Sequence, residues 1–321
     1  MKVSIIIVSY NEKKYLSDAI DSCLNQSGDF DFELIIGDDG STDGSIELIK
    51  EYQEKNPDLI KSFVMDRDNE TDIIASIRVS NVLKKGFGLS TGEYLCVLSG
   101  DDILIDNEKI KKQIEFLDIH PKYKSCYSDY QEFWDNGETK LCCDKRIGNS
   151  QIFWASKYMH VSTFVFKREC LIHLLDRLCD DEGLIFSILK TGKTKHLDFV
   201  GMGYRQREKS LMKETAKLEF FICEMIKMQD VLNEGGLYTA SLSRFYYPLK
   251  MIIKNRKELS SSEYKKYFDS CAQYSNNILN DIASDNNKRK IKNMYYMSYW
   301  YKNYYKVLFL LGTALYHIAK K

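Results

Sequence analysis

Residues 3–8 form a β-branched apolar run, the pattern of a strand buried on both faces. Leu16, Ala19, Ile20, Cys23 and Leu24 then recur at helical spacing, and residues 32–36 return to a short apolar run. The alternation continues: residues 43–56 predict a second helix stopped by Pro57, 60–65 a third strand, 73–86 a third helix and 94–98 a fourth strand. Strands separated by helices, with too much chain between them for hairpins, predict a parallel sheet with helices on both faces. Beyond residue 120 the pattern weakens. Residues 124–133 and 162–167 read as strands, and 181–190 as a helix with Leu184, Ile185, Ile188 and Leu189 on its inner face. From about 213 the chain reads as mostly helical, with Ser260 and Glu263 at capping-box spacing. No internal repeat, low-complexity tract or Gly/Ser-rich linker breaks this organisation, so the expected division is a catalytic domain over 1–212 and a helical region over 213–321.

Open α/β sheets bind ligands beyond the carboxyl ends of their strands, so three loops carry the candidate chemistry. They are Ser9-Tyr10-Asn11-Glu12 after the first strand, Asp38 to Gly44 after the second, and Ser99-Gly100-Asp101-Asp102 after the fourth. Two adjacent carboxylates repel one another unless a cation sits near them. Hard oxygen ligands select Mg2+ or Mn2+, and a site with few protein carboxylates completes its shell with substrate phosphates. The competing reading makes Asp102 or Asp106 a cap of the following helix. Asp39 could accept a hydrogen bond from a nucleobase N–H or a ribose hydroxyl, while Asp43 most simply caps the next helix; a turn rich in Asp, Gly and Ser is also explained as only a turn. The glycines lack the order of a dinucleotide fingerprint, and no P-loop pattern occurs.

Taken together, residues 3–12, Asp38-Asp39-Gly40-Ser41-Thr42-Asp43, and Gly92-Glu93-Tyr94 leading into Leu98-Ser99-Gly100-Asp101-Asp102 resemble the family-2 glycosyltransferases of GT-A fold. The resemblance covers about residues 1–212 and implies an α/β GT-A nucleotide-diphospho-sugar transferase fold, a mostly parallel sheet flanked by helices. It also implies inverting transfer of a sugar from a nucleotide-sugar, a UDP-sugar in the first place, with Mn2+ or Mg2+ as cofactor. By the same resemblance Ser9 and Asp39 contact the nucleoside, with Tyr10, Asn11 and Glu12 of the first loop beside the donor, Asp101 the ribose or donor sugar, and Asp102 the metal on an exposed loop. The family's catalytic carboxylate is usually the Asp of a Glu-Asp pair opening a helix about eleven residues before a glycine. Asp180-Asp181 with Gly192 matches that frame, making Asp181 the candidate base, against a plain helix N-cap. Tyr204-Arg205 and Lys209-Ser210 resemble the segment whose basic residues reach the pyrophosphate, against an ordinary solvated charge run.

Two positions depart from the family pattern. Ser99 stands where the commonest form has its first Asp, which makes the metal site leaner. Leu83-Lys84 stands where many members have Arg-Asn, which puts donor contacts from that helix, and the donor's identity with them, in doubt. His160 is placed on the acceptor side, with a satisfied structural histidine as the preferred reading.

Composition and charge add three points. The chain of 321 residues has a formal net charge of zero and only 3 prolines, a globular profile. Residues 1–212 hold 28 Lys and Arg against 36 Asp and Glu, and the remainder 18 against 10, so the parts carry −8 and +8 and are expected to face different partners. Thirteen of the 22 tyrosines fall in the second part. Residues 295–321, aromatic and basic, have the composition of an interfacial helix, so this region is expected to be either an acceptor cap or a peripheral membrane-surface module. No run is long enough to span a bilayer and no leader pattern opens the chain, which gives the expectation of a cytoplasmic protein, peripheral at most on the inner face of the cell membrane. Nine irregularly spaced cysteines suit a reducing compartment and are assigned to packing. Scattered basic residues make nucleic acid an unexpected partner. The expected acceptor is a glycan or lipid-linked hydroxyl in polysaccharide or glycan assembly. A non-catalytic nucleotide-binding scaffold and a nucleotidyltransferase are the alternatives, the latter disfavoured because Ser9 to Lys14 contains no glycine.

Overall fold

The computed structural model describes residues 2–67, 75–143, 160–175 and 179–207, together with 223, 226, 227 and 230. The chain divides into two compact units, Met1–Glu214 and Thr215–Lys321. In the second unit Cys223, Ile226, Lys227 and Asp230 are helical and buried, the spacing of one helix face. The expectations for residues 260–263 and 295–321 lie outside the described residues, as do those for Lys209 and Ser210.

In the first unit β1 (Val3–Ser9) leads through α1 (Lys13–Leu24) to β2 (Phe32–Asp38), and α2 (Ser45–Lys55) leads to β3 (Ile60–Val64). Helix α3 (Ala75–Leu89) then carries the chain back across β1 to β4 (Tyr94–Ser99). The order β3-β2-β1-β4 is parallel throughout. Ile5, Ile6 and Ile7 are fully buried, because helices cover both faces of β1 and each such side chain removed from water stabilises by roughly 1.5–3 kcal/mol. The pattern therefore located the parallel half of the sheet to within two residues at most strand ends.

The other half is mixed. Beyond β4 come β8 (Phe164–Lys167), antiparallel to both β4 and β6 (Tyr123–Trp134), then β9 (Lys193–Gln206) parallel to β6, and β5 (Ile103–Leu104) antiparallel to β9. A short β7 (Thr139–Cys142) forms a hairpin on β6. The expected strand over 162–167 begins instead as a 3-10 turn at Val161–Thr163. The helix expected after Asp106 is α4 (Lys109–Ile119), which buries Lys109 completely, its Nζ 3.6 Å from Cys96 Sγ. Strand β9 was not foreseen, because it interrupts its apolar positions with Lys193, Lys195, Asp198, Gly201 and Gly203. Helix α5 (Asp181–Thr191) is the predicted one, extended by a residue.

The edge of the sheet away from the three loops is fastened by polar groups. Glu33 Oε1 accepts from Ser4 Oγ at 2.7 Å and from the Thr91 N–H at 2.6 Å, while Oε2 meets Lys61 Nζ at 2.7 Å. Burial opposes ionisation of Glu33, but the bonds from Lys61, Thr91 and Ser4 outweigh it and hold the carboxyl down to about 2. Gly92, whose N–H donates to Ser4 Oγ at 2.8 Å, approaches β1 so closely that a Cβ there would lie 2.5 Å from the Ser4 nitrogen. The described cysteines are free thiols, and Cys23, Cys96 and Cys126 pack in the core. Among the described residues no helix is long and apolar enough to cross a membrane.

Candidate active site

The strand order reverses at β1, with β2 on one side and β4 on the other, so a crevice opens between the loops that follow β1 and β4. Backbone bonds set the loops: the Gly100 N–H donates to the Val8 carbonyl at 2.8 Å and the Asp39 N–H to that of Ser9 at 2.9 Å. Asn11, at φ 53°, stitches the first loop to the second, donating its N–H to Ser41 Oγ at 2.8 Å and accepting the Thr42 N–H on Oδ1 at 2.9 Å. Its side-chain oxygen is therefore engaged in loop architecture. Asp43 receives the Ser45 N–H at 3.0 Å and the Lys13 N–H at 3.0 Å; the N-cap of α2 is Gly44 rather than the expected Asp43, and Asp43 instead closes the turn just before the helix. Asp38, not singled out from the sequence, closes its turn by accepting from the Ser41 N–H at 2.7 Å.

On one flank of the crevice Asp39 is buried, its Oδ2 3.4 Å from Arg67 Nη2 and 3.3 Å from Arg78 Nε. Its Oδ1 and the buried Ser9 Oγ have no hydrogen-bond partner among the described residues. Burial raises the Asp39 carboxyl against the lowering influence of the two guanidinium groups. Tyr10 is exposed, with the Arg67 guanidinium 4.0 Å above its ring. Two cations and an aromatic face thus border an acceptor carboxylate, an arrangement suited to a planar, N–H-bearing group attached to phosphates. Arg67 and Arg78 were not named from the sequence. Arg78 projects from α3, the helix from which donor contacts were put in doubt by Leu83-Lys84; Leu83 is a core residue there.

At the floor Asp101 and Glu12 share a cation, Arg207 Nη2, at 2.6 Å and 3.1 Å. Burial and the Asp101 charge push Glu12 well above the usual carboxylate range, and Arg207 only partly offsets them. Gly100 permits this closeness, since a Cβ there would lie 2.6 Å from Glu12 Oε2. Arg205, the candidate pyrophosphate contact, is spent on the scaffold: Nε donates to the Asp101 carbonyl at 3.0 Å and Nη2 to Asp18 at 2.8 Å, while the guanidinium lies over the rings of Tyr15 and Phe133. The guanidinium among the carboxylates is that of Arg207, two residues on. Arg207 follows the last residue of β9, Gln206, and the sequence carries no signal that selects it over Arg205, which strand alternation would place on the same face.

Asp102 is not on an exposed loop; it is fully buried. Nor does it cap α4, whose start is met by Asp106 Oδ1 accepting the Glu108 N–H at 2.9 Å. Its Oδ1 accepts the Arg205 N–H at 3.0 Å, and its Oδ2 has no hydrogen-bond partner among the described residues. Burial first, then the charges of Asp101, Glu12 and Asp181, hold it well above the usual carboxylate range against the Arg205 N–H. A buried, unpartnered carboxylate oxygen amid other carboxylates fits a divalent cation. No cluster of three or more His, Cys, Asp or Glu side chains among the described residues would hold one, so the fit requires further ligands from substrate.

Asp180, not Asp181, is the side-chain cap of α5, its Oδ1 accepting the Gly183 N–H at 3.1 Å. Asp181 occupies the first turn, half-buried, and its charge acts on both Asp102 and Tyr204. Tyr204, Tyr130 and His160 form an aromatic group, His160 lying 4.1 Å from Tyr204 and 5.7 Å from Tyr130 between ring centroids. His160 Nδ1 is buried and without a partner among the described residues, which corrects its reading as a satisfied structural histidine.

A mixed, mostly parallel sheet with its carboxylate loops gathered at the β1/β4 switch point is the GT-A fold of nucleotide-sugar transferases. Residues 4–175 match glycosyl transferase family 2, and the chain belongs to that family. Over 284 residues it is 25% identical to an uncharacterized glycosyltransferase of Methanocaldococcus jannaschii, covering 85% of this chain and 87% of that protein. It is 33% identical over 123 residues to the putative glycosyltransferase EpsE of Bacillus subtilis, covering 38% of this chain and 41% of EpsE. An uncharacterized Mycobacterium tuberculosis protein is 33% identical over 135 residues, 42% of this chain and 37% of that protein; the chain thus spans well under half the length of several relatives. Among solved structures, Staphylococcus aureus TarS with UDP-GlcNAc superposes with a TM-score of 0.59 at 17% identity, over 86% of this chain and 81% of that one. A Pyrobaculum calidifontis mannosyltransferase with GDP-Man and Mn2+ gives 0.53 at 16%, over 98% and 85%.

Proposed function

We propose that this glycosyltransferase moves a sugar from a nucleoside-diphosphate sugar, a UDP-sugar in the first place, to an acceptor hydroxyl with inversion at the anomeric carbon, in a divalent-metal-dependent reaction of glycan assembly. The observation that carries the reading is the Asp102 carboxylate, buried with Oδ2 unpartnered at the switch point and within electrostatic reach of Asp181. Asp39 takes the nucleobase or ribose, with Tyr10 and Arg67 along the nucleoside and Ser9 Oγ as a further donor. Asp101 and Glu12 receive sugar or ribose hydroxyls, and Arg207 moves from them toward the diphosphate when the donor enters.

Bound beside Asp102, Mn2+ or Mg2+ supplies Lewis-acid stabilisation of charge on the leaving diphosphate. The acceptor hydroxyl has a pKa far above 7 and requires a base in contact with its proton. Asp181 fills that role: it stands in the first turn of α5 beside the capping Asp180, and its charge reaches Asp102 and Tyr204. The C1–O bond to the diphosphate breaks as the acceptor oxygen bonds C1 from the opposite face, and the acceptor proton passes to Asp181. One displacement inverts the centre.

Liganded neighbours support a nucleotide-sugar donor, TarS being described with UDP-GlcNAc and the mannosyltransferase with GDP-Man and Mn2+. Nucleotide release from a panel of UDP- and GDP-sugars, with Mn2+, Mg2+ or EDTA, tests the proposal, and NMR of the product reads the anomeric configuration. Metal-dependent release with a product of inverted configuration is expected. No release and no nucleotide binding under any condition would overturn it in favour of the scaffold reading. Peripheral membrane contact through 295–321 is a proposal on its aromatic and basic composition and on charge; retention on phosphatidylglycerol vesicles at low salt, absent from neutral vesicles, is its test.

A further inference from the structure

Two buried, unpartnered atoms face each other across the site. Asp102 Oδ2 and His160 Nδ1 are 3.9 Å apart, and neither has a hydrogen-bond partner among the described residues. At that separation they do not bond each other. Leaving a buried polar atom unmet costs about 1–3 kcal/mol, so two such atoms side by side indicate a missing common partner. Neither is there by accident of a loose side chain. The Asp102 carboxylate is held by the Arg205 N–H at 3.0 Å, and the His160 ring packs against Tyr204 and Tyr130. The His160 carbonyl also takes the Thr163 N–H at 3.0 Å and Thr163 Oγ1 at 2.7 Å, which fixes its backbone at the head of the turn before β8.

Resting on the proposed metal-dependent reaction, we infer that His160 is a second protein ligand of the Asp102 cation, and that it makes the site selective for Mn2+ over Mg2+. Two ligand atoms each about 2.1 Å from one cation lie no more than about 4.2 Å apart, and the Asp102–His160 separation of 3.9 Å is within that reach. The imidazole is chemically suited to the task, since a neutral ring offers a nitrogen lone pair to a cation. A water bridging the two atoms is the competing occupant; it would satisfy both but would confer no metal preference. Imidazole nitrogen favours transition ions, whereas Mg2+ keeps an all-oxygen shell. The histidine thus takes the place vacated by the leaner carboxylate motif, in which Ser99 stands where a first Asp is common.

The primary measurement needs no variant: pulsed EPR of the full-length protein with Mn2+ and UDP, read for 14N modulation from a directly bound imidazole. Calorimetry of UDP binding with Mn2+ and with Mg2+ follows, on wild type, His160→Ala, His160→Gln and Asp102→Asn, each checked for folding by its thermal transition. The expected result is 14N modulation in wild type that is lost in both His160 variants. Mn2+-supported UDP affinity should fall by on the order of tenfold or more in those variants, with Mg2+-supported affinity nearly unchanged. Absence of 14N modulation while Mn2+ binds in an Asp102-dependent way would overturn the histidine assignment and leave the metal reading standing. Binding of UDP that is indifferent to Mn2+ and to Asp102→Asn would overturn both.

Discussion

Arg207 Nη2 lies 2.6 Å from Asp101 Oδ2, and the same nitrogen also serves Glu12 at 3.1 Å. The cation balances two buried carboxylates that would otherwise repel. Arg207→Gln should therefore destabilise the fold by about 1–3 kcal/mol near neutral pH. Burial already raises both carboxyls and Arg207 lowers them, so its loss moves both pKa values further up. A raised folded-state pKa means the native state binds more protons than the unfolded one, so the deficit should shrink as pH falls. Thermal unfolding of both proteins at pH 8 and pH 5.5 checks this; a deficit that is constant or grows in acid contradicts it.

Asp102→Asn keeps an oxygen for the Arg205 N–H while removing the charge, which makes it a cleaner test than truncation of a fully buried side chain. The variant should fold at least as well as wild type without metal, because it removes one of several like charges. UDP binding should lose its enhancement by Mn2+. Calorimetry with and without the ion decides.

Asp181→Asn should bind donor with unchanged affinity yet turn over at least about 100-fold more slowly, the usual scale for loss of a general base. Asp180→Asn offers the contrast: as the helix cap at 3.1 Å from the Gly183 N–H, it should cost stability of about 1 kcal/mol or less and little turnover. Steady-state kinetics paired with thermal melts separates the roles. Equal turnover of wild type and Asp181→Asn would return Asp181 to a structural role.

Glu33, held down to about 2 by Lys61, Thr91 and Ser4 against the opposing effect of burial, stabilises the fold only while ionised. That contribution is present above the unfolded carboxyl pKa of about 4.3 and is lost as pH falls through that value toward 2. Glu33→Gln should be less stable than wild type by about 2–3 kcal/mol at pH 7, converging with it near pH 2. Urea titrations from pH 7 to pH 3 should show the gap narrowing.

Gly92→Ala should lower stability by about 2 kcal/mol or more, since the added methyl meets the Ser4 backbone nitrogen at 2.5 Å, a contact no rotamer change relieves. Gly88→Ala, with nothing within 4 Å of its added Cβ, should be neutral or stabilising because the residue lies inside α3. Melting temperatures of the two variants give the comparison.

The parallel half of the sheet was legible along the chain because each of its strands is buried on both faces and each linker is an amphipathic helix, so periodicity and burial carry the same message. Residues 3–8 and 94–98 announce strands, and the switch-point rule then names the loops holding Ser9, Asp39, Asp101 and Asp102. Strand β9 could not be read in this way. Its glycines and lysines lie beside the broad β6 and short β5, and its order comes from backbone pairing with partners some seventy and a hundred residues away. With β9 unseen, Arg205 and Arg207 could not be told apart, although a strand turns neighbours at i and i+1 to opposite faces and leaves the choice at i+2 to local contacts. Likewise the sequence offered two aspartates at 180 and 181, and only the hydrogen bond to Gly183 decided which one caps the helix. His160 shows the same limit: the chain separates it from Asp102 by 58 positions, and only the folding of β8 against β4 sets their unpartnered atoms 3.9 Å apart. Local patterning determines elements, while ligand sets depend on distances between elements, which no spacing along one chain encodes.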